Sequence, residues 1–305
     1  GVGGRVYAKP LHISSGKLAM RLDSGAELTL SGPARLELKD AMTASLIEGD
    51  LSAYIPKSAQ GFTVRSKAMD VVDRGTRFAF SVRRDFAYVR VSEGSVGVRH
   101  RAAGGAAPRN STLKKDQSLQ ARAVDGADWQ VTHLPKQPRL SGEVRYVEAP
   151  PADIESRRYR DIKFGVLYPE QIGATLSQPV EVYDDMADEV ADRVLQPGQR
   201  VDAYMLHVQR NFRHHEGRMY HYVGSVTFDR PVLGVIWRQT HHTDGVLGLP
   251  GLRFQFSPAQ RQFDAGEDQF HISEDRRTVH FDVRLGKNRI DRMRIVVAHK
   301  ADAAD

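Results

Sequence analysis

The chain has 305 residues, long enough for two ordinary domains, and its 40% hydrophobic and 27% charged residues are those of a folded chain rather than a disordered one. It carries a formal net charge of +6, no cysteine and no run of eighteen apolar residues. These exclude disulfides, thiolate catalysis, cysteine-ligated zinc and a membrane-spanning helix.

Neither an initiating Met nor a signal-peptide pattern is present, which is expected of a chain that starts inside a longer precursor. The absence of cysteine suits a periplasmic, cell-surface or extracellular location. The charge is uneven: residues 1–145 hold 23 Lys+Arg against 14 Asp+Glu, and the remainder 21 against 24. A basic front half suits an acidic partner, although its cations are scattered singly along alternating runs, as solvated sheet faces are. The doublets Arg83-Arg84, Lys114-Lys115 and Arg157-Arg158 lack the interleaved aromatics of a single-strand platform, so no nucleic acid is expected.

From Leu18 onward, short runs of alternating apolar and polar residues recur every eight to twelve residues, the pattern of an all-β chain. "KLAMRL", "AELTLSG", "ARLELK", "TASLIEG", "LSAYIP", "TRFAFSVR" and "FAYVRVSEG" each place side chains on opposite faces. Asp23-Ser24-Gly25, Ser31-Gly32-Pro33, Glu48-Gly49-Asp50 and Glu93-Gly94-Ser95 read as the turns between them. "RAAGGAAPRN", 101–110, reads as a loop tip, and "HLPKQPRLSG", 133–142, with two prolines, as linker. The expected division is a first β domain over 1–132, a linker over 133–145, a β-sandwich over 146–300 and a disordered tail over 301–305. Strands of the second domain are expected near "KFGVLY", "VDAYMLHVQR", "LRFQFS", "DQFHIS", "TVHFDVRL" and "RMRIVVAHK". "DDMADEVADRVL" has helical spacing but also reads as an acidic loop, and Pro231 implies a bulge, turn or edge.

The order of motifs over residues 16 to 100 resembles the FecR domain. The resemblance is carried by "AELTLSGPARLEL", "LIEGDLSAYIPKSAQGFTV", "VVDRGTRFAFSV" and "YVRVSEGSVGV". Its signature falls on Gly25, Gly49, Phe62, Asp73, Gly75, Thr76, Phe78, Glu93 and Gly94. It implies a twisted β-sandwich or solenoid-like scaffold, protein–protein contact and no enzyme chemistry. In the best-known members it implies a relay from an outer-membrane transporter to a cytoplasmic sigma factor. The second domain departs from those members. It is only faintly similar to β domains of large extracellular proteins, which puts that relay in doubt. On the residues themselves, Gly75 is expected to turn the chain where a Cβ would clash, and Asp73 to serve the turn rather than act as an acid.

The second domain offers three chemistries, each beside a plainer reading. His207, His214, His215, His221, His241, His242, His271 and His280 are metal ligands or loop histidines, without HExxH spacing. Asp184, Asp185 and Asp188, with Asp264 and Asp268 in "DAGED", offer oxygen ligands for calcium, without EF-hand spacing. Trp237, Tyr204 and Tyr222, with His241 and His242 nearby, suit stacking on a sugar ring or packing in a core. No nucleophile elbow, P-loop or dinucleotide fingerprint occurs.

The expected protein is therefore an all-β, non-enzymatic envelope or extracellular protein, a FecR-like domain followed by a jelly-roll-like sandwich, with no cofactor beyond that candidate calcium. Its expected partner is another envelope protein or a second copy of itself, through exposed strand edges or loops. The alternative is a carbohydrate-binding module that takes polysaccharide.

Overall fold

The computed structural model describes residues 10–100, 108–124, 128–148, 164–186, 190–209, 220–249, 263, 267–285 and 290–300. The fold is all-β and divides into two compact units, Gly1–Lys136 and Gln137–Asp305.

The first unit is built on a twelve-stranded sheet. Its strands are β1 (Pro10–Ile13), β2 (Lys17–Arg21), β3 (Glu27–Asp40), β4 (Thr43–Tyr54), β5 (Thr63–Arg65), β6 (Met69–Asp73), β7 (Arg77–Arg83), β8 (Phe86–Glu93), β9 (Ser95–His100), β10 (Arg109–Lys114), β11 (Ser118–Val124) and β12 (Asp128–Leu134). The order runs β10-β9-β6-β5-β4-β7-β8-β11-β12, with β3 also paired to β4 and carrying β1 and β2. Along one edge β4 is shared: Thr43–Ser45 pair in parallel with β5, and Gly49–Tyr54 pair antiparallel with β7.

That division is possible because β3 and β4 bend together. Ser31-Gly32-Pro33 and Glu48-Gly49-Asp50 are not turns between short strands, as alternation suggested, but one bulge inside two long ones. Gly49 alone opposes Gly32, Pro33 and Ala34, since the register jumps from Ser31↔Asp50 to Arg35↔Glu48. Its φ is +115°, and a Cβ there would overlap the Ala34 methyl, so only glycine lets the strands touch. The two lobes on either side of the bulge share one core. Leu30, Leu51, Phe78, Phe80 and Val89 come from one lobe, and Leu36, Val64, Val71, Val98 and Leu113 from the other. Burying each such side chain is worth roughly 1.5–3 kcal/mol, which gives the sheet its stability without helices.

The Pro-bearing stretch read as linker is mostly strand. β12 continues to Leu134, and β13 (Arg139–Gly142) opens the second unit. The second unit packs a four-stranded sheet on a five-stranded one. The first is β13, β19 (Tyr220–Thr227), β22 (Thr278–Leu285) and β21 (Gln269–Ile272). The second is β14 (Val144–Tyr146), β15 (Gly165–Thr175), β18 (Arg200–Gln209), β23 (Ile290–Ala298) and β20 (Val232–Ile236). Leu206, Met293, Ile295 and Val235 of one sheet meet Val226, Val279, Phe281 and Phe270 of the other in a common core.

A small pair, β16 (Val180–Val182) and β17 (Arg193–Leu195), a one-turn helix, α1 (Asp244–Leu247), and 3-10 turns at Lys57–Ala59 and Thr240–Thr243 complete the described elements. Hence the end of "DDMADEVADRVL" is strand, not helix. Pro231 falls where β19 and β20 are broken apart. "LRFQFS" lies outside the described residues.

Candidate functional site

Asp73, Gly75, Thr76 and Gly94 lock one corner of the first unit. Asp73 ends β6 with 1% of its surface exposed. Its carboxylate accepts the Gly75 N–H at 2.6 Å and the Thr76 hydroxyl. Burial pushes Asp73 up to about 6, while the N–H groups of Gly75, Thr76 and Arg74 pull the other way. Thr76 returns its own carbonyl to the Ile55 N–H at 2.9 Å.

The two glycines differ from the sequence expectation. Gly75 has φ +90°, yet a Cβ there would meet open space; glycine is required by the dihedral, not by a clash. The clash belongs to Gly94, where a Cβ would lie 2.5 Å from the Gly75 oxygen and 2.8 Å from Thr76 Cγ2. Glu93 is exposed and 3.8 Å from Arg77. Gly25 takes φ +91° in the turn closed by Leu22 and Ala26, and Phe62 and Phe78 are buried. Asp73 is thus spent on its own turn, so it offers nothing to a substrate.

In the second unit the proposed sugar platform lies in the interior. Trp237 and Tyr204 are 1% exposed and Tyr222 2%, all within the sandwich core. Stacking on a ligand is therefore closed to these three rings. His241 and His242 lie in a 3-10 turn over Thr240–Thr243 with ring centroids 4.2 Å apart.

Among the acidic residues, Asp184 is clamped by Arg276 at 2.7 and 2.9 Å and is also bonded by Arg193. The Arg276 hydrogen bonds hold its carboxyl below the usual range. A cation there has to displace two guanidinium groups. Asp185 bridges to His271 through the backbone, and Asp268 is buried and accepts the Arg284 N–H at 2.8 Å. Asp188 and Asp264 lie outside the described residues. Among the described residues no three His, Asp or Glu side chains converge as a metal site.

β18 and β23 hold a polar interior that their charged residues disguise as a solvent face, since both faces of these strands are covered. Arg294, fully buried, donates to Glu170 at 2.6 and 3.1 Å, to Asp244 at 2.7 Å and to the Thr240 carbonyl at 2.7 Å. Next to it on the same strand, Arg292 Nε donates to His207 Nδ1 at 2.9 Å. His207 Nε2 in turn lies 3.1 Å from Gln209 Oε1, which fixes the neutral Nε2–H tautomer. On the opposite face Asp202 takes Arg230 and, at 2.6 Å, His299 Nδ1. A signal was present in the sequence: oppositely charged residues sit on strands otherwise rich in Val, Ile and Leu.

What stays accessible is the outer face of β5, β6, β9 and β10. The registers Arg65↔Asp70, Asp70↔Arg99 and Arg99↔Asn110 place these four side chains in one row across four strands. Two residues along lies Gly97, with the Arg74 guanidinium 3.5 Å from where its Cβ would be, then Lys114. Arg65, Arg74, Arg99 and Lys114 are exposed, with Asp70 the single carboxylate in this row. Part of the basic excess of the front half, four exposed cations against one carboxylate, thus lies on one sheet face, while the rest is spread around the unit.

Residues 13–97 match the family described as FecR protein, in agreement with the resemblance of the motifs. No curated protein matches the chain. Two solved structures from Parabacteroides distasonis ATCC 8503, both described as candidate anti-sigma factors, are similar to parts of it. The first is 14% identical with a TM-score of 0.34 and covers 42% of this chain, which spans 61% of that structure. The second is 12% identical with a TM-score of 0.35, covering 56% of this chain and 69% of its own. No helix among the described residues is long and apolar enough to cross a membrane.

Proposed function

We propose that the chain is a sensor- or regulator-type module of the cell envelope that binds another envelope protein and catalyses no reaction. The FecR match over residues 13–97 carries this reading. The corner chemistry supports it, because Asp73 and Thr76 are used up in holding the scaffold. The docking surface in this reading is the row Arg65, Asp70, Arg99 and Asn110, flanked by Arg74 and Lys114. A face with four exposed cations against one carboxylate steers an acidic partner and makes its binding sensitive to salt.

The test uses the intact chain, immobilised, with envelope extract. One defined protein is expected to be retained at about 0.1 M salt and released at about 1 M, where charges are screened within roughly 3 Å. The double variant Arg65→Glu/Arg99→Glu is expected to retain none of it. Equal retention by that variant, or no defined protein on the wild-type chain, overturns the proposal.

A further inference from the structure

Two strands at the ends of the first sheet's main path, β10 and β12, have open edges among the described residues. They differ in what those edges carry. Which backbone groups of β12 point outward follows from one hydrogen bond. Ala123 donates its N–H to the Asp85 carbonyl at 3.0 Å, so the odd-numbered residues of β11 face β8 and the even-numbered ones face β12. The register Gln120↔Thr132 and Arg122↔Gln130 then commits the even-numbered backbone of β12 to β11. The N–H and C=O of Trp129, Val131 and His133 are left on the open side.

Natural edges are guarded by Lys, Pro, bulges or shortness. β12 is seven residues long, pairs in unbroken register and has Asp128 at its start as its single Asp, Glu, Lys or Arg. β10 is guarded. Lys115 donates to Gly94 at 3.0 Å, so Asn110, Thr112 and Lys114 point outward. A second copy paired about Thr112 sets Arg109 against Lys115 twice, and like charges directly opposite are destabilising.

We propose that β12 is a self-pairing edge, to which a second copy of this chain adds antiparallel about a two-fold axis at Val131. That register pairs Val131 with Val131 and Trp129 with His133, exchanging about six backbone hydrogen bonds. It sets Asp128 opposite Leu134, so no like charges meet. Val131 is half-buried against the first unit's core and Trp129 is buried there, so pairing extends that core side to side. One strand pair is a small interface, below about 1,200 Å², which makes the dimer weak and concentration-dependent. This inference stands independently of the basic face.

Sedimentation velocity on the intact chain over a concentration series tests it. A monomer–dimer equilibrium is expected. His133→Pro removes an outward N–H at an exposed side chain and is expected to weaken the dimer at least about ten-fold. Gln130→Lys/Thr132→Lys leaves the backbone untouched, sets lysines opposite one another across the axis, and is expected to do the same. Thr112→Pro, the matching change on β10, is expected to leave the dimer as it was. A monomer at every concentration overturns the proposal, as does a dimer that withstands both β12 variants or one weakened equally by Thr112→Pro. So does a monomer whose β12 variants lose a different envelope protein, which assigns the edge to that protein instead.

Discussion

At the scale of single residues, the corner at Asp73 separates two reasons for a glycine. Gly75 needs only its dihedral, so Gly75→Ala is expected to cost roughly 1–2 kcal/mol, the strain of a left-handed conformation with a Cβ. Gly94 has the same dihedral need, and a Cβ there also strikes the Gly75 carbonyl and Thr76. Gly94→Ala is therefore expected to cost more, by roughly a further 1–3 kcal/mol of overpacking. Chemical denaturation of the two variants checks the order, and equal losses refute the assignment of the clash to Gly94. The motif "VVDRGTRF" pointed to this corner without difficulty. What it did not reveal was which glycine is crowded, because that depends on where the β8–β9 turn comes to rest, some twenty residues further on.

At the scale of the element, alternation is legible but what covers each face is not. In the first unit Phe78, Phe80 and Val82 of β7 point inward as their period implies. In β15, β18 and β23 the polar residues Glu170, His207, Arg292 and Arg294 read as a solvent face but are buried, because a second layer of chain closes over them. The bulge at Gly49 escaped for a related reason: Ser-Gly-Pro and Glu-Gly-Asp are turn chemistry in isolation, and only their pairing shows one bend. Arg294 gives the element-scale prediction. Glu170→Gln removes the charge partner and presents an amide N–H₂ to a buried guanidinium, so a loss of roughly 3–5 kcal/mol is expected. Arg294→Met is expected to lose a similar amount, and the double variant less than the sum, since the pair is coupled. The two tryptophans divide the readout: Trp129 reports the first unit and Trp237 the second, so a Trp129→Phe background isolates the second unit's unfolding. An additive double variant contradicts the pairing.

At the scale of the whole molecule, the buried titratable groups give the two units different responses to acid. In the first, burial raises Asp73 from 3.8 to about 6, so the folded state holds its proton where the unfolded chain has released it. Stability from this group is complete below about pH 4 and is lost as pH rises toward 6, a change of up to about 3 kcal/mol. In the second unit His207 is held well below its ordinary value by burial and then by the Arg292 charge. Below pH 6.5 the unfolded chain takes up a proton that folded His207 refuses, so that unit weakens as pH falls. Asp268, raised by burial to about 6, opposes His207 within the same unit between pH 4 and 6. Acidification from pH 6.5 to 4 should therefore stabilise the unit seen by Trp129 and change the unit seen by Trp237 much less. Asp268→Asn removes the opposing group, and the second unit should then lose stability steadily over that range. Denaturant unfolding at pH 4, 5 and 6.5, followed through each tryptophan in turn, reads both. If Asp268→Asn leaves the second unit's pH response unaltered, Asp268 is not the group that offsets the buried histidine.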